Sequence, residues 1–446
     1  MGNYLGGFLF YFSLYSICIN FVIICVLLHA HIYEEFALLI TFKPIFAMPK
    51  ISSKGLIMPE SPIRKLTPYA NEAKRAGKEV YHLNIGQPDI KSPTVAMDAV
   101  RNHTIETLAY TASNGSLEYR QKLADFYTSK NIEVGPENII VTTGGSEALS
   151  FAISTVADAN DEIIIPEPFY ANYNGFAVQN NVKVVPVESK IEDNFALPPI
   201  EDFEALITQH TKAILICNPG NPTGYVYSKK EIEQLGELVK KYNLFLISDE
   251  VYSDFIYSDA EHHSILSIEG IEDYAILTDS VSKRYSMCGA RIGYLVSKND
   301  QVIETVLKFA QARLSPPTFA QIASEAALDT PKSYFTEVNT TYEERRDILL
   351  NGLSEIPGVK VNQPQGAFYC IAELPIKNAE KFAQWLLEDF DLDGETVMIA
   401  PAAGFYSTTG KGLNQVRIAY VLEREKLVRA VEILKQALKV YQEKQS

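Results

Sequence analysis

The chain has 446 residues, 47% of them hydrophobic, with 55 acidic against 40 basic residues and a formal net charge of −15. That length buries a core large enough for two domains, and the interspersed acidic charge excludes nucleic acid and anionic membrane surfaces as primary partners. The five cysteines (Cys18, Cys25, Cys217, Cys288, Cys370) show neither a disulfide framework nor a metal-ligand spacing, which points to a reducing compartment and no metal.

Residues 1–47 form a hydrophobic extension. Residues 4–28 carry no charge and are long enough to span a bilayer. No Lys or Arg precedes Lys43, so there is neither a signal-peptide n-region nor a positive-inside signal. A membrane helix is one reading of this stretch. A misplaced start, with translation beginning at Met48 and a cytoplasmic protein, is the one expected.

Beyond it, residues 58–75 begin with prolines and become a short amphipathic helix. A strand over 80–85 delivers Gly86-Gln87-Pro88-Asp89, on its own an ordinary tight turn. Tyr110 lies in a polar stretch before a helix that opens near Ser116. A strand over 138–142 then runs into Thr143-Gly144-Gly145-Ser146. Strand, glycine turn and helix N-terminus make an anion site from free N–H groups and the helix dipole. The same glycines serve equally as strain relief beside a helix capped by Ser146.

The alternation continues. A strand over 162–166 leads to Glu167-Pro168-Phe169-Tyr170, aromatics whose commoner fate is core packing. A strand over 182–187 is followed by one over 213–217, ending in Asn218-Pro219-Gly220-Asn221. After a helix over 228–242, a strand over 244–247 meets Ser248-Asp249-Glu250-Val251-Tyr252. A further strand over 275–278 ends in Ser280-Val281-Ser282-Lys283, and Arg291 precedes a strand over 292–296. Strands and helices in this rhythm argue for a mostly parallel sheet covered on both faces, with ligands beyond the carboxyl ends of the strands.

A lysine at the tip of an apolar strand is expensive to bury as an ammonium and well suited to a Schiff base. Hydroxyls at Ser280 and Ser282 and the Arg291 guanidinium suit a phosphate. Taken alone, the segment is equally a solvated loop. From 301 onward the chain is mainly helical (301–313, 319–328, 331–353). Strand-like runs at 359–361, 363–369 and 416–420 then alternate with helices over 379–390 and 423–441.

These motifs, in this order from about Met58 to the C-terminus, resemble the class I/II pyridoxal-phosphate-dependent aminotransferases of the aspartate aminotransferase family. The resemblance implies the α/β fold of that family, a large mostly parallel-sheet domain plus a smaller α+β domain. The expected boundaries are 48–91 for an N-terminal segment joining the small domain, 92–329 for the large cofactor-binding domain and 330–446 for the small one.

The resemblance also implies the roles. Lys283 is the Schiff-base lysine and general base, Asp249 the partner of the ring nitrogen, and Tyr252 and Asn221 the partners of its phenolic oxygen. Tyr170 stacks on the ring, with Phe169 the alternative. Gly145, Ser146, Ser280, Ser282 and Arg291 hold the phosphate, joined by Tyr110 from a second subunit. Arg417 grips the substrate α-carboxylate, with Gly86 and Asn221 beside it. The expected activity is ping-pong amino-acid:2-oxo-acid transamination with pyridoxal 5'-phosphate in a homodimer with shared sites. A β-lyase on the same scaffold and a non-catalytic cofactor-binding regulator are the alternatives. For a distal carboxylate of the substrate, Arg64 and Lys65 are the candidates; Tyr69, Tyr225 and Phe368 would line an apolar pocket instead.

Overall fold

Alternation along the strands is what builds the centre of the protein. In the computed structural model, which describes residues 48–445 apart from Ser258, together with Val22 and Val26, thirteen strands are present among the described residues. They are β1 Glu79–His82, β2 Ile139–Thr142, β3 Glu162–Glu167, β4 Lys183–Glu188, β5 Thr211–Cys217, β6 Phe245–Asp249 and β7 Ala275–Ser280, followed by β8 Gly293–Val296. The C-terminal third adds β9 Lys360–Val361, β10 Tyr369–Glu373, β11 Glu395–Met398, β12 Ala400–Pro401 and β13 Gln415–Ala419. Successive side chains of a strand point to opposite faces. Accordingly Ile163, Ile165, Ala213, Leu215 and Ile276 enter one buried cluster, while Ile164, Ile214, Ile216 and Leu277 enter another. The sheet is therefore covered on both sides, as near-continuous apolar strands require.

This sheet has seven strands in the order β2-β8-β7-β6-β5-β3-β4. All neighbours pair in parallel except β8, which runs antiparallel to both β2 and β7. The expected strands at 138–142, 162–166, 182–187, 213–217, 244–247, 275–278 and 292–296 are all found, to within two residues at each end. Helix Lys229–Tyr242 forms where amphipathic spacing meets a capping box, with Ser228 Oγ accepting from Glu231 N at 3.3 Å and Glu231 Oε2 accepting from Ser228 N at 2.7 Å.

A second sheet, β12-β13-β10-β9, is antiparallel, and β1 pairs in parallel with β11. One expectation fails here. The strand-like run 363–369 is a turn up to Phe368, and β10 begins only at Tyr369. Ala367 has φ +56°, Gly366 N donates to Gly224 O at 2.9 Å, and Gly366 makes only an isolated bridge to Ile256, so the run does not join the sheet. The link from β1 to the Gly86 turn is fastened on both sides. Leu83 N donates to Met398 O at 2.9 Å, and Ala419 N donates to Leu83 O at 2.8 Å.

The chain divides into two compact units, Met1–Leu56 and Ile57–Ser446. All thirteen strands of the described residues lie in the second. In the first, helix Ser53–Ile57 begins with no buried residue. The extension 1–47 and the apolar stretch 4–28, but for the two valines, lie outside the described residues. Among the described residues no helix is long and apolar enough to cross a membrane.

Candidate active site

Every residue singled out from the large sheet comes to one edge. Thr142, Cys217, Asp249 and Ser280 end β2, β5, β6 and β7, and Gly293 starts the reversed β8 on the same side. Beyond β7 a single helical turn, Val281–Arg284, carries Lys283. Its Nζ donates to Gly86 O at 2.7 Å, lies 3.8 Å from Cys288 Sγ and sits 5.9 Å from the Phe368 ring centre. The turn is braced from behind by a buried network that the sequence reading did not include. Arg284 Nη2 donates to Asp279 Oδ2 at 2.7 Å and to Ser253 Oγ at 2.9 Å, and Tyr294 Oη donates to the same Asp279 oxygen at 2.7 Å.

Helix Gly145–Val156 opens beside Ser280. A Cβ built on Gly145 would lie 3.8 Å from Ser280 Cβ, and one on Gly144 only 2.4 Å from Arg291 Nη2. Gly144 has φ +81°, a backbone conformation that favours glycine, and the Arg291 guanidinium lies against it. The cap is Gly144 rather than Ser146, which is exposed inside the first turn. Ser280 Oγ accepts from Ser282 N at 3.3 Å, and Arg291 Nη1 donates to Cys288 O at 2.9 Å. Helix N–H groups, the Ser280 hydroxyl and the Arg291 guanidinium thus lie close together, with Ser282 bonded through its backbone to Ser280. That donor set suits a phosphate.

Asp249 is 7% exposed and accepts from Tyr173 Oη at 2.9 Å. Burial pushes its carboxyl up to about 6. Its neighbour Glu250 is turned elsewhere, accepting from Ser264 Oγ at 3.1 Å and Ile265 N at 3.0 Å, with His262 Nε2 3.6 Å away. Burial raises Glu250 to about 8 and lowers His262 to about 3, so that pair is neutral rather than an ion pair at neutral pH. Phe169 is core: its ring stacks on Tyr173 at 6.0 Å. Tyr170 is only half-buried and is held by Asn172 Nδ2 at 2.8 Å. Its phenol is raised to about 12 chiefly by burial, with Tyr369 and Asp249 adding to the rise and Arg417 and Arg64 opposing it.

Arg417, on the central strand β13, is 1% exposed. Nη1 donates to Asn221 Oδ1 at 3.2 Å, Nη2 donates to Asn84 O, and Nε has no partner. Among the described residues no carboxylate pairs with it. A fully buried guanidinium without an anion is costly, and a carboxylate brought by a ligand would relieve that cost. Asn221 also reaches Tyr252 Oη, at 3.5 Å, and so stands between the two groups it was assigned to. Tyr252 Oη in turn lies 2.9 Å from Tyr369 Oη.

The sequence reading assigned no role to Tyr173, Asn84 or Tyr369. Tyr225 and Lys65 are drawn away from the site, Tyr225 to Glu231 at 3.0 Å and Lys65 to Glu380 at 2.7 Å. Tyr110 is 79% exposed on a loop held by Thr318 Oγ1 to Ala109 O at 3.2 Å and Gln321 Nε2 to Thr111 Oγ1 at 2.9 Å. It therefore points away from the core.

A doubly covered, mostly parallel sheet with a lysine and a buried aspartate at its carboxyl edge is consistent with the α/β fold of the pyridoxal-phosphate transferases. Residues 78–434 match the model of the family described as aminotransferase class I and II. The aspartate aminotransferase of Bacillus subtilis (strain 168) is 33% identical over 397 residues, covering 86% of this chain and 98% of its own. Among solved structures, the aspartate aminotransferase of Thermus thermophilus with maleate matches with a TM-score of 0.79 and 29% identity, over 87% of this chain and all of its own. An alanine aminotransferase of Pyrococcus furiosus matches with a TM-score of 0.80 and 31% identity, over 88% of this chain.

The chain belongs to the class I and II aminotransferases. It is an amino-acid aminotransferase, and its family is in general pyridoxal-phosphate-dependent.

Proposed function

We propose that the Lys283 edge of the large sheet is the transamination site and that this chain holds pyridoxal 5'-phosphate there. The observation that carries the reading is Arg417, a buried guanidinium with no carboxylate of its own, set in hydrogen-bond reach of Asn221. When bound, the cofactor supplies an electron sink for the carbanion left when the substrate α-proton departs. Gly145, Ser146, Ser280, Ser282 and Arg291 would hold its phosphate, Tyr170 would cover the ring, and Asp249 would pair with the ring nitrogen and favour its protonated form. Tyr252 and Asn221 would donate to the phenolic oxygen.

Arg417 fixes the substrate carboxylate bidentately and so orients the α C–H, with the backbone at Gly86 beside it. Lys283 would act as the general base that takes the substrate α-proton. Its Nζ donates to Gly86 O at 2.7 Å, which supports a place for the amine beside that turn.

The assembly we propose is a homodimer in which the exposed Tyr110 completes the phosphate site of the neighbouring subunit. Residues 48–91 and 330–446 form the small domain around the large one at 92–329. For the substrate side chain we favour a dicarboxylic donor, because of the separation of two neighbouring cations. Lys65 is spent on Glu380, whereas Arg64 forms no ion pair among the described residues. Asn84 donates from Nδ2 to Ile63 O at 2.8 Å, and Asn84 O accepts from Arg417, so Arg64 follows directly on the residue tied to the carboxylate clamp.

The test is Lys283→Ala in the cofactor-loaded protein. Loss of turnover and of the visible absorption band, with the phosphate-anchored cofactor still bound, is expected. An unchanged band and rate would remove the assignment. Assay of the wild type for oxo acid without free ammonia separates transamination from β-elimination, and no product from any amino acid would leave a non-catalytic binder.

A further inference from the structure

Tyr369 begins β10 and is 2% exposed. It touches three groups to which the proposed mechanism gives separate tasks. Its hydroxyl lies 2.9 Å from Tyr252 Oη and 3.5 Å from Gly86 O, the carbonyl that receives Lys283. Its ring centre lies 4.4 Å from the Arg417 guanidinium carbon. The phenol packs closely on the Gly86 backbone, where a built Cβ would fall 1.7 Å from Tyr369 Oη, so only glycine leaves room for it. Four side chains thus close a circuit: Arg417 to Asn221, Asn221 to Tyr252, Tyr252 to Tyr369, and the Tyr369 ring back to Arg417.

We propose that Tyr369 is a positioning residue that donates its hydroxyl hydrogen to Tyr252 and seats Arg417 on its ring. One side chain thereby sets both the donor to the ring oxygen and the clamp on the carboxylate. The first half follows from counting protons, and it rests on the reading that the site holds pyridoxal phosphate. Each phenol has one hydrogen. When Tyr252 gives its own to an acceptor in the site, the hydrogen between the two phenols must come from Tyr369. A phenol that accepts a hydrogen bond is itself a stronger donor. The second half follows from burial. A guanidinium with no carboxylate partner gains from the negative face of an aromatic ring, which also leaves its edge free for a ligand.

The experiment uses the holoenzyme and two variants. Tyr369→Phe removes only the hydroxyl, and Tyr369→Leu removes the ring as well. The pH midpoint of the visible absorption change in the resting enzyme reports the donor to the ring oxygen. Tyr369→Phe should raise that midpoint by about one unit, the scale of one hydrogen bond. It should raise it no further in a Tyr252→Phe background.

Binding of maleate, which has no amino group to react, reports the clamp. Tyr369→Leu should weaken it about tenfold, while Tyr369→Phe should stay within about twofold of wild type. An unmoved midpoint in Tyr369→Phe, a shift that adds to that of Tyr252→Phe, or equal maleate affinity in the two variants overturns the proposal. A wild type with no pH-dependent band overturns the cofactor reading as well, so the two failures are distinguishable.

Discussion

Tyr173 Oη donates to Asp249 Oδ2 at 2.9 Å, and it is the one side chain that hydrogen-bonds this buried carboxylate among the described residues. A single phenol does not offset the loss of water around a carboxylate, which is why burial lifts Asp249 to about 6. The unfolded value is 3.8.

A folded value above the unfolded one gives stability that is full below the unfolded value and lost as pH rises through the folded one. The cofactor-free protein should therefore lose about 3 kcal/mol, on the scale of 1.36 per unit, between roughly pH 4 and pH 7 relative to Asp249→Asn. Thermal melts of both cofactor-free proteins across that range check this. A constant difference between them at all pH values contradicts it.

Arg417→Lys keeps the charge and removes the fork. Lysine cannot bind a carboxylate bidentately, and it leaves either Asn221 Oδ1 or Asn84 O without its donor. KM for amino donors should rise by about 10- to 100-fold, about 1.4 to 2.8 kcal/mol. Steady-state kinetics with an amine lacking the α-carboxylate provide the control, since that substrate should be affected little.

Arg64→Gln and Lys65→Gln should part company. Arg64→Gln should raise KM for aspartate and glutamate about tenfold or more and leave alanine within about twofold, as expected for one lost charge-assisted hydrogen-bond pair. Lys65→Gln, which breaks only the partly exposed pair with Glu380, should change neither. Equal losses for aspartate and alanine in Arg64→Gln would mean that the segment acts on the fold rather than on the distal carboxylate.

Tyr110→Phe and Lys283→Ala chains should complement one another. If Tyr110 serves the neighbouring subunit, a heterodimer carries both defects in one site and neither in the other. Heterodimers purified with two tags should then recover about half of the wild-type activity per dimer. Activity no higher than that of the Tyr110→Phe homodimer would falsify the shared site.

Much of the site was readable because its residues sit at the ends of apolar strands, where Gly, Asn, Ser and charge interrupt a continuous run. Lys283, Asp249 and Asn221 are legible in that way. Tyr369 was not, because its partners Tyr252, Gly86 and Arg417 lie on three other segments and nothing local sets this tyrosine apart from core aromatics. The turn over 363–368 was drawn into the strand because Ala367 and Phe368 run straight into the apolar start of β10, and Ala367 with positive φ gives no sequence signal comparable to glycine. Strands β11 and β12 also passed unread, since short apolar runs announce no pairing; β11 finds its partner in β1, near the opposite end of the body.

The reversed direction of β8 makes one interval in this chain a ruler. Parallel strands deliver to the site the residues that follow them, so loops and helices between β5, β6 and β7 are free to vary in length while Asn221, Asp249 and Lys283 stay put. Arg291 precedes its strand and arrives from the far end of the same hairpin that carries Lys283. The distance from lysine to arginine is therefore set by a closed span between two hydrogen-bonded neighbours. Insertions should be borne in the crossover segments and rejected between 283 and 291, which gives a library of length variants a sharply uneven map of survivors.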